Sequence, residues 1–173
     1  MIVRAHFERK LNELRDEILY MGGLVEAELT LALDAFRTLD AEKAKQVSAA
    51  DRVVNKTRFD IEEKCFSLIV TQQPAARDLR TITTAMNIII DLERMGDQAK
   101  GVAKVVPRLL RMPTQEQPPE LWQMGEMVGK MLSQVMLAFA NSNIDLARII
   151  AKQDDEVDAL YARVFTRLMA EMA

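Results

Sequence analysis

Little in this 173-residue chain is equipped for covalent chemistry: it has one cysteine, one histidine and one tryptophan. A lone Cys65 excludes an internal disulfide and thiolate zinc, and suits a reducing compartment. A lone His6 leaves no Ser-His-Asp set beyond itself and none of the paired Glu-x-x-His motifs of di-iron carboxylate bundles. There are only six glycines and five prolines, none of them between Leu24 and Gln73, and aromatics make up 5%. That composition favours an all-helical chain and offers neither a glycine-rich phosphate loop nor a nucleophile elbow. Positive charge is in deficit, at a formal net charge of −3. With no basic run and no interleaved aromatic platform, nucleic acid is not an expected partner. No apolar run approaches the roughly 20 residues of a membrane span, and the first ten residues carry charges where a signal peptide needs an apolar core. The expectation is a soluble cytoplasmic protein with no direct membrane insertion.

What the chain does have is itself, twice. Shifted by 103 residues, Met21 meets Met124, Val25 meets Val128, Leu29 meets Leu132, and Ala35-Phe36 meets Ala138-Phe139. Asp51 meets Asp154, Val54 meets Val157, and Asp40 meets Asn143 at the same turn. A duplication makes each copy a structural unit. Five helical segments are expected. The first runs from about Val3 to Leu39, loosened at Gly22-Gly23. The second starts from an Asp40 cap, carries the stripe Val47, Val54, Ile61, Cys65 and Leu68, and breaks at Gln72-Gln73-Pro74. The third spans Ala75 to Val106 and stops at Pro107. A fourth runs from Glu120 to Ala140, and a fifth continues from an Asn143 cap. The fold class is therefore all-α, in tandem three-helix bundles, with the second bundle lacking its third helix in this chain. Its domains are residues 1–111, a linker at 112–119, and an incomplete second repeat at 120–173.

Acids fall where apolar residues are expected. On a helical wheel Leu79, Ile82, Met86 and Ile90 share a sector with Glu93 and Asp97, one turn apart. Like charges at that spacing repel unless something positive sits beside them. Two readings stand together: the stripe ends in solvated acids offset by Lys100 and Lys104, or the acids hold a metal or ligand. On the second helix Asp51, Asn55, Arg58 and Glu62 lie along the flank of the stripe, and the repeat places Asp154 and Asp158 where Asp51 and Asn55 stand. A cation on such oxygens is a hard one, such as magnesium, calcium, manganese or ferric iron. His6 reads as an exposed first-turn residue and Cys65 as an inert core residue. The methionines read as core gap-fillers, with Met124, Met127 and Met131 as a softer set suited to a partner groove.

The runs Gln72-Gln73-Pro74-Ala75-Ala76-Arg77-Asp78-Leu79-Arg80 and Asp91-Leu92-Glu93-Arg94-Met95-Gly96-Asp97-Gln98-Ala99 resemble the PhoU family of phosphate-uptake regulators. The resemblance spans essentially the whole chain. It implies two repeated three-helix bundles and a metal motif that pairs an acid with Asp or Asn one turn on. By position these pairs are Asp51 with Asn55, Glu93 with Asp97, and Asp154 with Asp158. The implied cofactor is an oxygen-ligated metal ion, with iron, manganese, magnesium and zinc all open. Asn55 departs from the pattern, since an acid often occupies its place.

The resemblance further implies a regulator and not an enzyme. Its expected role is a negative regulator of phosphate uptake and of the phosphate-starvation response. Its expected partners are the ATPase subunit of the phosphate ABC transporter and the phosphate sensor histidine kinase. The alternative is a metal-buffering or storage bundle, which would hold many ions where an adaptor holds a few. Apolar faces on the fourth helix (Met124, Val128, Met131, Leu132, Val135) and the fifth (Ile150, Val157, Val164, Leu168) call for a cover. A homo-oligomer, a dimer in two-fold or swapped arrangement, is therefore expected, unless those helices fold back onto the first copy.

Overall fold

The computed structural model describes residues 2–112 and 117–172, with the side chains of residues 2 and 3 excepted. Among these residues every regular element is an α-helix: α1 (Ile2–Thr38), α2 (Ala41–Gln72), α3 (Ala76–Leu109), α4 (Pro119–Ala140), α5 (Ile144–Lys152) and α6 (Asp154–Met172). They form two compact units, Met1–Pro107 and Arg108–Ala173. Residues 113–116 of the expected linker lie outside the described residues, and Pro119 already belongs to α4.

The first unit is a three-helix bundle with seven-residue spacing on all three helices. On α1 the buried series is Phe7, Leu14, Met21, Glu28 and Ala35, interleaved with Ile18, Val25 and Ala32. On α2 the buried residues are Ala44, Val47, Asp51, Val54, Ile61, Cys65 and Leu68. On α3 they are Ile82, Ala85, Ile89, Leu92, Gly96, Ala99, Ala103 and Val106, at alternating spacings of three and four. Such spacing keeps one seam facing its neighbours along long helices. At the α1–α2 turn the core is made of small residues, with Ala32, Ala35, Ala44, Val47, Ala99, Ala103 and Val106 in one cluster. Towards the other end it is filled by Leu14, Ile18, Met21, Ile61, Ile82 and Ile89.

The duplication is reproduced in backbone geometry. Leu39 and Ser142, 103 positions apart, both have φ 51°. The next amide donates back to the carbonyl of a matching alanine, Asp40 N–H to Ala35 O at 3.0 Å and Asn143 N–H to Ala138 O at 2.8 Å. This is the six-to-one closure of a helix C-terminus. The Asp40 side chain then accepts from the amides of Glu42 and Lys43 at 2.9 and 3.0 Å, and Asn143 accepts from Leu146 N at 3.0 Å. The carboxylate takes two orphan amides and the carboxamide one.

Three local features depart from expectation. Gly22-Gly23 does not loosen α1, which is helical throughout. Pro107 does not stop α3; it removes only the hydrogen bond of its own missing N–H, and the helix runs on to Leu109. The expected fifth helix is two, because Gln153 closes tightly on Ile150 O at 2.9 Å and accepts from Glu156 N at 3.0 Å. Asp154, Asp155 and Glu156 follow, and three acids at a helix start favour a fresh N-terminus there.

In the second unit the apolar faces are covered unevenly. Leu132, Ala138, Ile150, Leu160 and Val164 are buried, while Val128 and Leu168 are 38% and 40% exposed. Tyr161, Phe165 and Met169 of α6 are exposed as well.

Candidate functional site

Glu28, on α1, was not among the residues the sequence singled out. It is fully buried, at 0% exposure, and neither carboxylate oxygen has a hydrogen-bond partner. It occupies the seven-residue series of Phe7, Leu14 and Met21, so its place is dictated by the bundle and not by its polarity. Gly96 makes the room: a Cβ at that position would lie 3.0 Å from Glu28 Oε2 and 3.4 Å from Val54 Cγ1. Asp51, on α2, is 3% exposed, and its Oδ1 is likewise buried without a partner. Asp51 Oδ2 accepts from Lys100 Nζ of α3 at 2.6 Å. Lys100 also reaches Asp97 Oδ1 at 3.5 Å, and its own side chain is a quarter exposed, so the ammonium enters from the rim. The result is a polar layer in an otherwise apolar bundle.

Electrostatics follow from that burial. The Glu28 carboxyl is pushed up from 4.5 to about 7, first by desolvation and then by the charge of Asp51, with Lys100 opposing and Asp97 adding a smaller push. Lys100 is raised, chiefly by its hydrogen bond to Asp51. Cys65 is raised to about 11 by burial, as an inert thiol should be.

The six sequence-selected residues are placed differently from one another. Asp51 lies in the core itself and not on its flank. Asn55 is half-buried, and its amide donates to the backbone oxygen of Asp51 at 3.0 Å, so it serves its own helix. Glu93 is half-buried and Asp97 is about half exposed. On the line that pointed to them Ile82 is fully buried, but its ends, Leu79 and Ile90, are 38% and 41% exposed. The core seam leaves that line after Ile82 and continues through Ala85, Ile89, Leu92, Gly96 and Ala99. Asp154 and Asp158, on α6, are exposed. Among the described residues no three His, Cys, Asp or Glu side chains converge as a preformed metal cage. What does converge is a carboxylate from each of two helices, with three orphaned oxygens between them, the Glu28 carboxylate being admitted by Gly96. A buried acceptor without a donor is costly, and an oxygen-seeking cation is one way to satisfy several at once. Carboxylate oxygens are the donors such a cation takes.

The PhoU domain matches residues 18–106 and again 121–173, once on each side of the inter-repeat segment. The chain belongs to the PhoU family. A phosphate-specific transport system accessory protein PhoU homolog of Clostridium acetobutylicum is 36% identical over 173 residues, spanning 99% of this chain and 79% of that protein. The PhoU accessory protein of Escherichia coli is 34% identical over 172 residues, spanning 98% and 70%. Among solved structures, PhoU from Pseudomonas aeruginosa superposes with a TM-score of 0.91 at 35% identity, covering 96% of this chain and 80% of that one. The phosphate transport system regulatory protein PhoU from Streptococcus pneumoniae does so with a TM-score of 0.88 at 32% identity, covering 96% and 78%. The all-helical PhoU fold read from the sequence is thus the fold of the chain. No helix among the described residues is long and apolar enough to cross a membrane.

Proposed function

We propose that this chain is a non-enzymatic regulator of phosphate transport that represses uptake and the phosphate-starvation response. It does so as a cytoplasmic adaptor between the transporter's ATPase subunit and the sensor histidine kinase. The observation that carries the reading is the PhoU match on both repeats, together with relatives named as accessory proteins of phosphate-specific transport. Stiff helices of 32 to 37 residues suit docking on other proteins. An oxygen-ligated metal at the acids of α2 and α3 acts as structural glue, cancelling repulsion between helices that carry Asp51, Glu93 and Asp97. The exposed apolar side chains of α6 favour self-association as a dimer.

The test is genetic. In a strain lacking the gene, a starvation-responsive reporter should be fully on in high phosphate, and this chain should restore repression. Normal repression in the deletion strain would remove the regulatory reading. Sedimentation of the purified chain at micromolar concentration tests the dimer, which a clean monomer that binds no hydrophobic dye would exclude.

A further inference from the structure

We propose that the outer face of α2 is a self-recognition surface, which pairs antiparallel with the same face of a second copy of this chain. The inference rests on the self-association proposed above, and adds to the α6 face a separate contact in the first unit.

The face lies on the side of α2 turned away from its buried residues Val47, Val54 and Ile61. Ala49, Arg52, Lys56, Phe59, Glu63 and Phe66 follow one another there at alternating spacings of three and four, and all six are exposed. The two rings, Phe59 and Phe66, are 58% and 53% exposed, two turns apart on one side of the helix. Apolar groups aligned in this way mark a contact surface more than scattered ones do. Phe59 is also held in place: the Arg58 guanidinium stacks 4.1 Å from its ring centroid and is tied in turn to Glu62 at 3.1 Å. A ring already fixed loses little freedom on docking.

Charge selects the occupant. The half of the face towards Asp40 carries Ala49, Arg52 and Lys56, and the other half carries both rings and Glu63. Lys56 is paired with Asp60 at 2.5 Å, whereas Arg52 and Glu63 have no partner among the described residues. A second copy laid antiparallel, with the two-fold axis between Thr57 and Arg58, brings Arg52 opposite Glu63 and Glu63 opposite Arg52. The same register sets the small Ala49 against the large Phe66, and the Lys56 ammonium against the Phe59 ring. Alternating spacings of three and four let such side chains interdigitate along antiparallel helices. A parallel copy in register would instead oppose like charges at both positions. The contact is one helix face on another, at the small end of specific interfaces, so the association is weak and reversible.

Disulfide trapping of the full chain tests the register. A mixture of Arg52→Cys and Glu63→Cys chains should cross-link at least about tenfold faster than either chain alone, since the two copies of either position stand about 16 Å apart along the helices. The native Cys65 is buried and stays out of the exchange. Sedimentation tests the charges. Glu63→Arg and Arg52→Glu should each weaken dimerisation at least about tenfold, because each opposes like charges twice across the axis. The double swap Arg52→Glu/Glu63→Arg should return to within about threefold of wild type, a recovery that general misfolding would not produce. A dimer that shows no preferential cross-link, or that ignores the single swaps, overturns the inference, and its loss in Phe165→Glu would then assign the contact to α6. A wild-type chain that stays monomeric overturns both contacts and leaves the regulatory reading standing.

Discussion

Asp51 and Asp154 are the same residue of the same repeat, and they live in opposite environments. Asp51 is sealed in the first unit with an ammonium at 2.6 Å, whereas Asp154 opens α6 in solvent. The turns into α2 and α5 match, each with a left-handed residue at φ 51°, but α5 ends before Asp154, which opens α6. The surroundings differ too: α3 brings Lys100 to Asp51 and Gly96 to Glu28, and the residue matching Glu28 in the second unit is Met131. A motif inherited twice is therefore one site and one surface feature. Chemistry at a repeated position is set by the neighbouring helices more than by the motif itself.

The sharpest way to break this comparison is to remove the ammonium. Without metal, Lys100→Met leaves Asp51 buried and unpaired and should cost about 3 kcal/mol. Asp154→Asn in the second unit should stay within about 0.5 kcal/mol. Urea unfolding of the two variants reads the difference, and similar losses would mean that burial does not distinguish the repeats.

The pH dependence comes next. The Glu28 carboxyl is pushed up from an ordinary value of 4.5 to about 7 in the folded chain, first by burial and then by the charge of Asp51, with Lys100 opposing and Asp97 adding a little. Between those values the native state holds a proton that the unfolded chain has released. Stability should therefore fall as pH rises from about 4.5 through 7, by on the order of 3 kcal/mol, and then level off. Glu28→Gln should flatten this slope and raise stability at pH 8. An unchanged slope in the variant would assign the titration elsewhere.

Much of this was legible in advance. The duplication, the all-helical class and the capped turns at Asp40 and Asn143 follow from composition and spacing, and the PhoU resemblance from the Asp91–Ala99 run. Glu28 was missed although a signal existed: Phe7, Leu14, Met21, Glu28 and Ala35 recur every seven residues. An isolated acid in such a series reads as noise until the glycine opposite it is known, and Gly96 lies 68 positions away in sequence. The wheel on α3 failed for a related reason. A 100° wheel drifts against a seven-residue seam, so beyond Ile82 its line passed through Met86, Ile90, Glu93 and Asp97 towards the rim while Ala85, Ile89, Leu92 and Gly96 faced the core.

Glycine substitutions sharpen the point at smaller scale. Gly96→Ala gains helix propensity but drives a Cβ to 3.0 Å from Glu28 Oε2, and should destabilise by about 1–2 kcal/mol. Gly101→Ala, on the same helix with nothing within 4 Å, should stabilise by about 0.5–1 kcal/mol. Combining Gly96→Ala with Glu28→Ala should recover most of the loss. Smallest of all are the caps. Asp40→Ala should cost about 1 kcal/mol and Asn143→Ala somewhat less, since Asp40 accepts two amides and Asn143 one. Equal losses on thermal melting would show that the second bond adds nothing.

A double-mutant cycle of Asp51→Asn and Lys100→Met, read by urea unfolding beside Asp154→Asn, tests the central claim most directly. The account predicts a coupling of about 2 kcal/mol or more between Asp51 and Lys100, and a change within about 0.5 kcal/mol at Asp154. Additive losses at Asp51 and Lys100, or a loss at Asp154 as large as that at Asp51, would contradict it.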